Sequence, residues 1–298
     1  MTMLVVGGTS HVGRVLVPAA LATRAVRVAT RDSQSLVARQ LADAGAQIVA
    51  ADLRNLGSLQ SACAGVQTVV ASAHGFPGTK GNDVQSVDLI GHVNLVKAAV
   101  DAGVTRFIYI SAVGVGPDAP VDLFRAKWQV EQELAASGLA WTCLRAAAFM
   151  ESWAALVGQP VLDRGSTTVF GLGTNPISFV SAGDVARLAL RLADDPGAVN
   201  QVVELGGPEN LTMLQVVERF ERAAGRKAKV RHVPRAMMRI MLASLGRMIK
   251  PLGRQIAAGI FIDTAPMTVD STLTLKRWPM ELTTLDQVIE RSMATRIG

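Results

Sequence analysis

The stretch Gly7-Gly8-Thr9-Ser10-His11-Val12-Gly13-Arg14 sets how this chain is read. It comes after a short apolar run, residues 3–6, and precedes a helical pattern over residues 12–23. A buried strand that ends in glycines and runs straight into a helix is the setting in which a glycine turn cradles a dinucleotide. Gly7 supplies the tight turn and Gly13 lets helix and strand pack closely. N–H groups at the helix start then face the pyrophosphate. Thr9, Ser10, Val12 and Arg14 complete the candidate cofactor loop. His11 either covers the pyrophosphate or faces solvent. A glycine motif alone is equally an ordinary strand–helix turn, so its weight comes from the alternating pattern downstream.

Beyond this turn, strands are expected at residues 26–30, 47–50, 67–71, 106–110 and 140–144. Helices are expected over residues 34–44, 56–64, 84–102 and 124–137. Gly45, Gly65, Gly103 and Gly138 stand where helices stop. Six strands separated by helices imply an α/β fold, a Rossmann-type doubly wound parallel sheet with a smaller C-terminal substrate-binding region. Beyond residue 150 the pattern loosens. Residues 151–176 read as irregular. Strands at 177–180 and 202–205 flank a helix at 182–193, and helices are expected at 212–224 (with Thr212 as N-cap), 235–248 and 285–293. The expected division is an NAD(P)-binding domain over residues 1–150 that also uses 177–205, with residues 151–176 and 206–298 forming the smaller lid region.

The 298 residues are 49% apolar and 18% charged, which excludes a disordered chain. Cys63 and Cys143 make no disulfide framework and no Cys/His metal spacing, so no metal is expected and a reducing, cytoplasmic setting is. The opening apolar run lacks the charged flank and length of a secretory signal, and no apolar stretch reaches the roughly 18 residues of a spanning helix. The net charge of +6 is local: ten Lys and Arg fall between Arg222 and Ile262 with no Asp or Glu among them. Within that span the Met-rich segment 235–254 presents Met237, Met238, Ile240, Met241, Leu245 and Met248, rimmed by Arg239, Arg247, Lys250 and Arg254. A lid or homodimer helix is the favoured reading, ahead of peripheral contact with an anionic membrane. The cluster has no aromatic stacking platform, so no nucleic acid partner is expected.

At the end of the second expected strand stands Thr30-Arg31-Asp32. An acidic residue there binds the ribose hydroxyls of NAD, whereas guanidiniums clamp the 2′-phosphate of NADP. Arg31, with Arg14 nearby on the first helix, favours NADP(H). NAD(H) stays open through Asp32.

Further segments stand in a fixed order: Ala51-Asp52-Leu53, the run from Ala102 to Ser111, Lys127, the run from Leu144 to Ser152, Ile177 to Val180 with Gly183 to Ala186, and Gly206-Gly207-Pro208-Glu209 with Leu211-Thr212. Together they resemble the atypical short-chain dehydrogenase/reductase group, specifically the NmrA-like NAD(P)-binding proteins, as far as about residue 235. The middle glycine of that family's motif is Ser10 here. The resemblance implies a Rossmann fold, adenine contact at Asp52 and Leu53, and an active-site lysine at Lys127. It also matches Ser111 to a catalytic Ser/Thr position, where the hydroxyl either orients a substrate carbonyl or only hydrogen-bonds local backbone. The wider superfamily's YxxxK motif is absent, because Leu123 stands four residues before Lys127 and the only tyrosine is Tyr109, in an expected buried strand. Lys127 either acts as acid–base group or only binds the nicotinamide ribose.

Ala73-His74-Gly75 comes after the fourth strand, at the edge where ligands bind such sheets. Ala73 passes the cofactor, and His74 is either an acid or hydrogen-bond donor to substrate or a plain loop residue. Phe149, Met150, Glu151 and Trp153 come after the sixth strand and suggest an apolar or aromatic substrate, although core packing accounts for Phe149 as well. The expected function is NADPH-dependent reduction of an apolar carbonyl or quinone. A cofactor-binding redox sensor that contacts a partner protein, and a non-redox isomerase or dehydratase, are the alternatives.

Overall fold

The computed structural model describes residues 1–76, 78, 81–244, 246 and 249–297. Its elements begin with β1 (Thr2–Val6), α1 (His11–Leu21), β2 (Ala25–Thr30), α2 (Leu36–Asp43), β3 (Gln47–Ala50), α3 (Leu56–Cys63) and β4 (Thr68–Ala71). A π-helical segment, Val84–Gly91, runs into α4 (His92–Asp101), and then come β5 (Arg106–Ala112), α5 (Asp122–Ala136) and β6 (Trp141–Ala146). The expected single helix over 84–102 is therefore two, with wider winding in its first half.

The chain forms two compact units, Met1–Arg145 with Val185–Val203, and Ala146–Asp184 with Glu204–Gly298. The large sheet has strand order β10-β6-β5-β4-β1-β2-β3, where β10 is Gln201–Leu205. The β1–β2, β2–β3, β1–β4 and β4–β5 pairs run parallel, with Val5 opposite Val28 and Met3 opposite Thr68. Strands covered by helices on both faces must be apolar throughout, and Met3 to Val6 and Phe107 to Ile110 are all buried. The strand order reverses between β1 and β4. The carboxyl edge at that reversal is where such sheets bind their ligands.

In the second unit, residues 151–176 are ordered rather than irregular. After β7 (Ala148–Phe149) come α6 (Met150–Trp153), a π-helical turn Ala154–Gly158, α7 (Gln159–Arg164) and β8 (Ser166–Phe170). Val157 and Val161 are fully buried with Phe220 in this unit's core. Ile177–Val180, β9, pairs with β7 and with β11 (Asn210–Leu211) in a three-stranded sheet and does not join the large one. α8 (Ala182–Asp194) comes next, and α9 (Met213–Ala224) starts on a capping box in which Thr212 and Gln215 satisfy each other's backbone N–H groups. β12 (Lys229–Val233) pairs in parallel with β8. The expected helix over 235–248 ends early as α10 (Arg235–Ala243). Leu245, Arg247 and Met248 lie outside the described residues, and a further helix spans Lys250–Thr264. Met237 and Ile240 of α10 are exposed and Met238 is buried. Among the described residues no helix is long and apolar enough to cross a membrane.

Candidate active site

The glycine turn leaves β1 at the strand-order reversal. Gly7 has φ +92°, and a Cβ there would stand 2.5 Å from the Ala73 nitrogen, so the turn lies against the loop that leaves β4. A Cβ on Gly13 would collide with the Gly7 carbonyl oxygen, which is how close α1 comes to the turn. Ser10 replaces the middle glycine with a function of its own. Its Oγ accepts from Gly13 N at 3.1 Å as the N-cap of α1 and lies 3.3 Å from Ser72 Oγ. Val12 is buried and His11 exposed. Arg14 turns back to donate to the Thr9 carbonyl at 3.1 Å, and the structure does not pair it with Arg31.

At the ends of β2 and β3 the charges gather. Arg31, exposed, donates to Asn82 Oδ1. Asp32 accepts from Gln34 N at 3.0 Å, a local turn contact. Asp52 is paired with Arg54 and also accepts from Arg54 N at 2.9 Å. The Arg54 guanidinium, with Arg31 adding to it, holds the Asp52 carboxyl below the usual range. Leu53 is buried. Arg54 also donates to the Gly81 carbonyl, so two guanidiniums reach adjacent residues of one loop. Neither Arg54 nor Asn82 was expected as a site residue.

The chemical end lies at β4, β5 and α5. Lys127 Nζ donates to the Ile110 carbonyl at 2.9 Å and sits 4.8 Å from the centre of the Tyr109 ring. Burial pushes the Lys127 ammonium below the ordinary lysine range, while the Asp88 and Glu131 carboxylates oppose that shift. Ser111 is buried, and its Oγ has no hydrogen-bond partner among the described residues. Tyr109 is fully buried, and that burial pushes its phenol up. Ala73 is half-buried. His74 is exposed; crowding and the nearby Lys127 charge lower its pKa, a shift that its open ring lets water screen.

Behind this edge the π-helical segment brings Asp88 inward, where Oδ2 accepts from Gly75 N at 2.8 Å and holds the loop after β4. His92 is fully buried, bonded through Nδ1 to the Val87 carbonyl at 2.9 Å, with its ring centre 5.3 Å from that of Tyr109. Burial, reinforced by Lys127, lowers the His92 pKa to about 3. The native state thus keeps His92 neutral where the unfolded chain would protonate it near pH 6.5. The stability this contributes is complete above about pH 6.5 and is lost as the pH falls towards 3. Urea midpoints should fall between pH 7 and pH 4, and His92→Gln should flatten that fall. An unchanged slope in His92→Gln would contradict the assignment.

In the second unit, Met150 is fully buried in the core rather than open to a ligand. The Glu151 carboxylate accepts from Ser181 Oγ at 2.9 Å and Ala182 N at 3.0 Å, capping α8. Phe149 is half-buried in β7, opposite Val180. Trp153 packs edge-on to Phe179 at 6.4 Å and lines a small cavity with Phe170, Met213, Ile262 and Asp263.

A cradle that a single Cβ would fill, a capped helix N-terminus behind it, two converging guanidiniums and an unsatisfied buried Ser111 hydroxyl fit a phosphorylated dinucleotide. Among the described residues no cluster of His, Cys, Asp or Glu could hold a metal ion.

A model of the NmrA-like family matches residues 1–286. An NAD(P)H azoreductase of Xenophilus azovorans is 32% identical over 135 residues, covering 45% of this chain and 46% of that protein. Quinone oxidoreductase 2 of Escherichia coli is 26% identical over 155 residues, 52% of this chain and 53% of that one. The matches span about half the length of these curated relatives. The solved NADPH complex of the Escherichia coli NADPH-dependent quinone oxidoreductase superposes with a TM-score of 0.78 at 22% identity, covering 98% of this chain and 99% of that one. A Citrobacter sp. triphenylmethane reductase complexed with NADP(H) gives 0.76 at 19% identity, covering 98% and 99%.

Proposed function

The chain belongs to the NmrA-like family, and on that premise we propose that it is an NADPH-dependent reductase of an apolar carbonyl or quinone-type compound. The observation that carries this is the buried Lys127 ammonium, seated between the Ile110 carbonyl and the Tyr109 ring at the carboxyl edge, where Ser111 also presents an unsatisfied hydroxyl. The dinucleotide, when bound, supplies a hydride.

The chain's own residues do the rest. The Gly7–Gly13 turn and the start of α1 take the pyrophosphate, and Arg31 takes the 2′-phosphate. Ser111 Oγ donates to the substrate oxygen that gains charge. Lys127 holds a proton at Nζ and, with its pKa lowered by burial, can give it up more readily than an exposed lysine. A quinone makes the smallest demand on that proton. The hydroquinone anion left by two-electron reduction is stabilised by delocalisation and takes its proton from Lys127 or from water. The names of the azoreductase and quinone oxidoreductase relatives, and the aromatic side chains Phe149 and Trp153, support an apolar, conjugated substrate.

NADPH consumption with a panel of quinones and conjugated carbonyls tests the activity; no consumption with any of them overturns it. Leu123 at the expected tyrosine position favours a second reading, a cofactor-binding sensor without turnover, which would bind NADPH in that assay and consume none. Arg31→Ala should weaken NADPH roughly tenfold or more and leave NADH nearly unchanged, since charge-assisted bonds to the 2′-phosphate are lost. Equal losses for both cofactors would contradict the role of Arg31.

A further inference from the structure

Arg31 leaves the end of β2 and Arg54 comes after β3, yet their guanidiniums meet neighbouring residues, Asn82 Oδ1 and the Gly81 carbonyl. Both contacts are to neutral acceptors, from exposed side chains at the strand ends where a bound dinucleotide presents its adenosine ribose. Asp52 holds Arg54 through Nε and Nη2 and leaves Nη1 for the loop. The Asp52 carboxylate is therefore engaged in an internal pair with Arg54.

We propose that Arg54 is the second arm of the clamp for the 2′-phosphate of NADPH, positioned by Asp52, and so a determinant of cofactor choice alongside Arg31. The inference rests on the proposal that this chain binds NADPH. A dianionic phosphate outcompetes a backbone carbonyl and an amide oxygen for two guanidiniums, because charge-assisted bonds are about twice as strong as neutral ones. Asp52 fixes the plane of the Arg54 fork so that Nη1 can leave Gly81 without loss of orientation. Taking Arg54 away also uncovers the Asp52 carboxylate beside the phosphate, so the loss falls on NADPH twice, through a missing contact and through repulsion.

Calorimetric titration with 2′,5′-ADP and with 5′-AMP isolates this, since the two probes differ by the 2′-phosphate alone. Arg54→Ala should weaken 2′,5′-ADP by roughly tenfold to a hundredfold and leave 5′-AMP within about twofold, which also reports an intact fold. Arg54→Lys should recover only part, as a point charge without the fork. In the Asp52→Asn/Arg54→Ala double variant, some 2′,5′-ADP affinity should return as the repulsion goes. Unchanged 2′,5′-ADP binding in Arg54→Ala overturns the proposal. Equal weakening of both probes also overturns it and makes Arg54 a strap for the loop only. If the wild-type protein binds neither probe, the dinucleotide reading itself falls. If it binds both and Arg54→Ala does too, Arg54 alone is excluded.

Discussion

Replacing Lys127 with alanine should lower kcat for NADPH-dependent reduction by about two orders of magnitude or more, the range over which positioned acid–base groups act. NADPH affinity should change far less, because the glycine turn and the arginines hold the phosphates. Lys127 is buried beside Tyr109, so its removal also leaves the Ile110 carbonyl without its donor. Lys127→Met keeps the side-chain volume and removes the charge, and it separates a packing loss from a chemical one. In the wild type the rate should decline at high pH as Lys127 loses its proton, with a midpoint below the ordinary lysine range because burial disfavours the charged form. That limb should vanish in Lys127→Met. A loss of NADPH affinity with kcat unchanged would instead make Lys127 a ribose ligand and nothing more.

Gly7→Ala should abolish tight dinucleotide binding. The substitution meets two obstacles at one residue: φ +92°, in the left-handed region, and a Cβ 2.5 Å from the Ala73 nitrogen. The backbone conformation alone costs about 1–3 kcal/mol, and the clash forces the β1 and β4 loops apart, where the pyrophosphate is held. Thermal melts should show a lower Tm and titration should show no NADPH binding up to millimolar cofactor. An alanine variant with wild-type affinity would mean that the turn does not carry the cofactor.

Much of the first unit could be read in the sequence because its signals are local. Short apolar runs such as Met3 to Val6 and Phe107 to Ile110 lie between glycine-ended helices, and a strand buried on both faces has no other composition available to it. The second unit hid its order for the opposite reason. α6, the π-helical turn and α7 are too short for helical periodicity, Pro160 and Gly158 mimic a loop, and β8 finds its partner β12 about sixty residues later. The site divides in the same way. Gly7, Ser10 and Gly13 stand out in the sequence because they share one turn of fixed spacing, whereas Lys127 and Ser111 stand out only through the resemblance to the NmrA-like proteins. Arg54 escaped because its partners, Asp52 and Gly81, are joined only once β3 and the loop after β4 come together. Asp88 and His92 read in the sequence as ordinary residues of one amphipathic helix. Only the wider π turn shows Asp88 holding Gly75. Their place after the sixth strand suggests Met150 and Glu151 for substrate, whereas in the structure Met150 packs in the core of the second unit and Glu151 caps α8.

All of the proposed chemistry depends on the carboxyl edge at β1 and β4 holding NADPH by its phosphates. Calorimetric titration of the purified protein with NADPH, NADP⁺ and NADH is the decisive test. Selective micromolar binding of NADPH, with NADH much weaker, is the predicted result. Absence of binding by all three would contradict the assignment and mark Ser10 and Leu123 as signs of a site that no longer takes a dinucleotide.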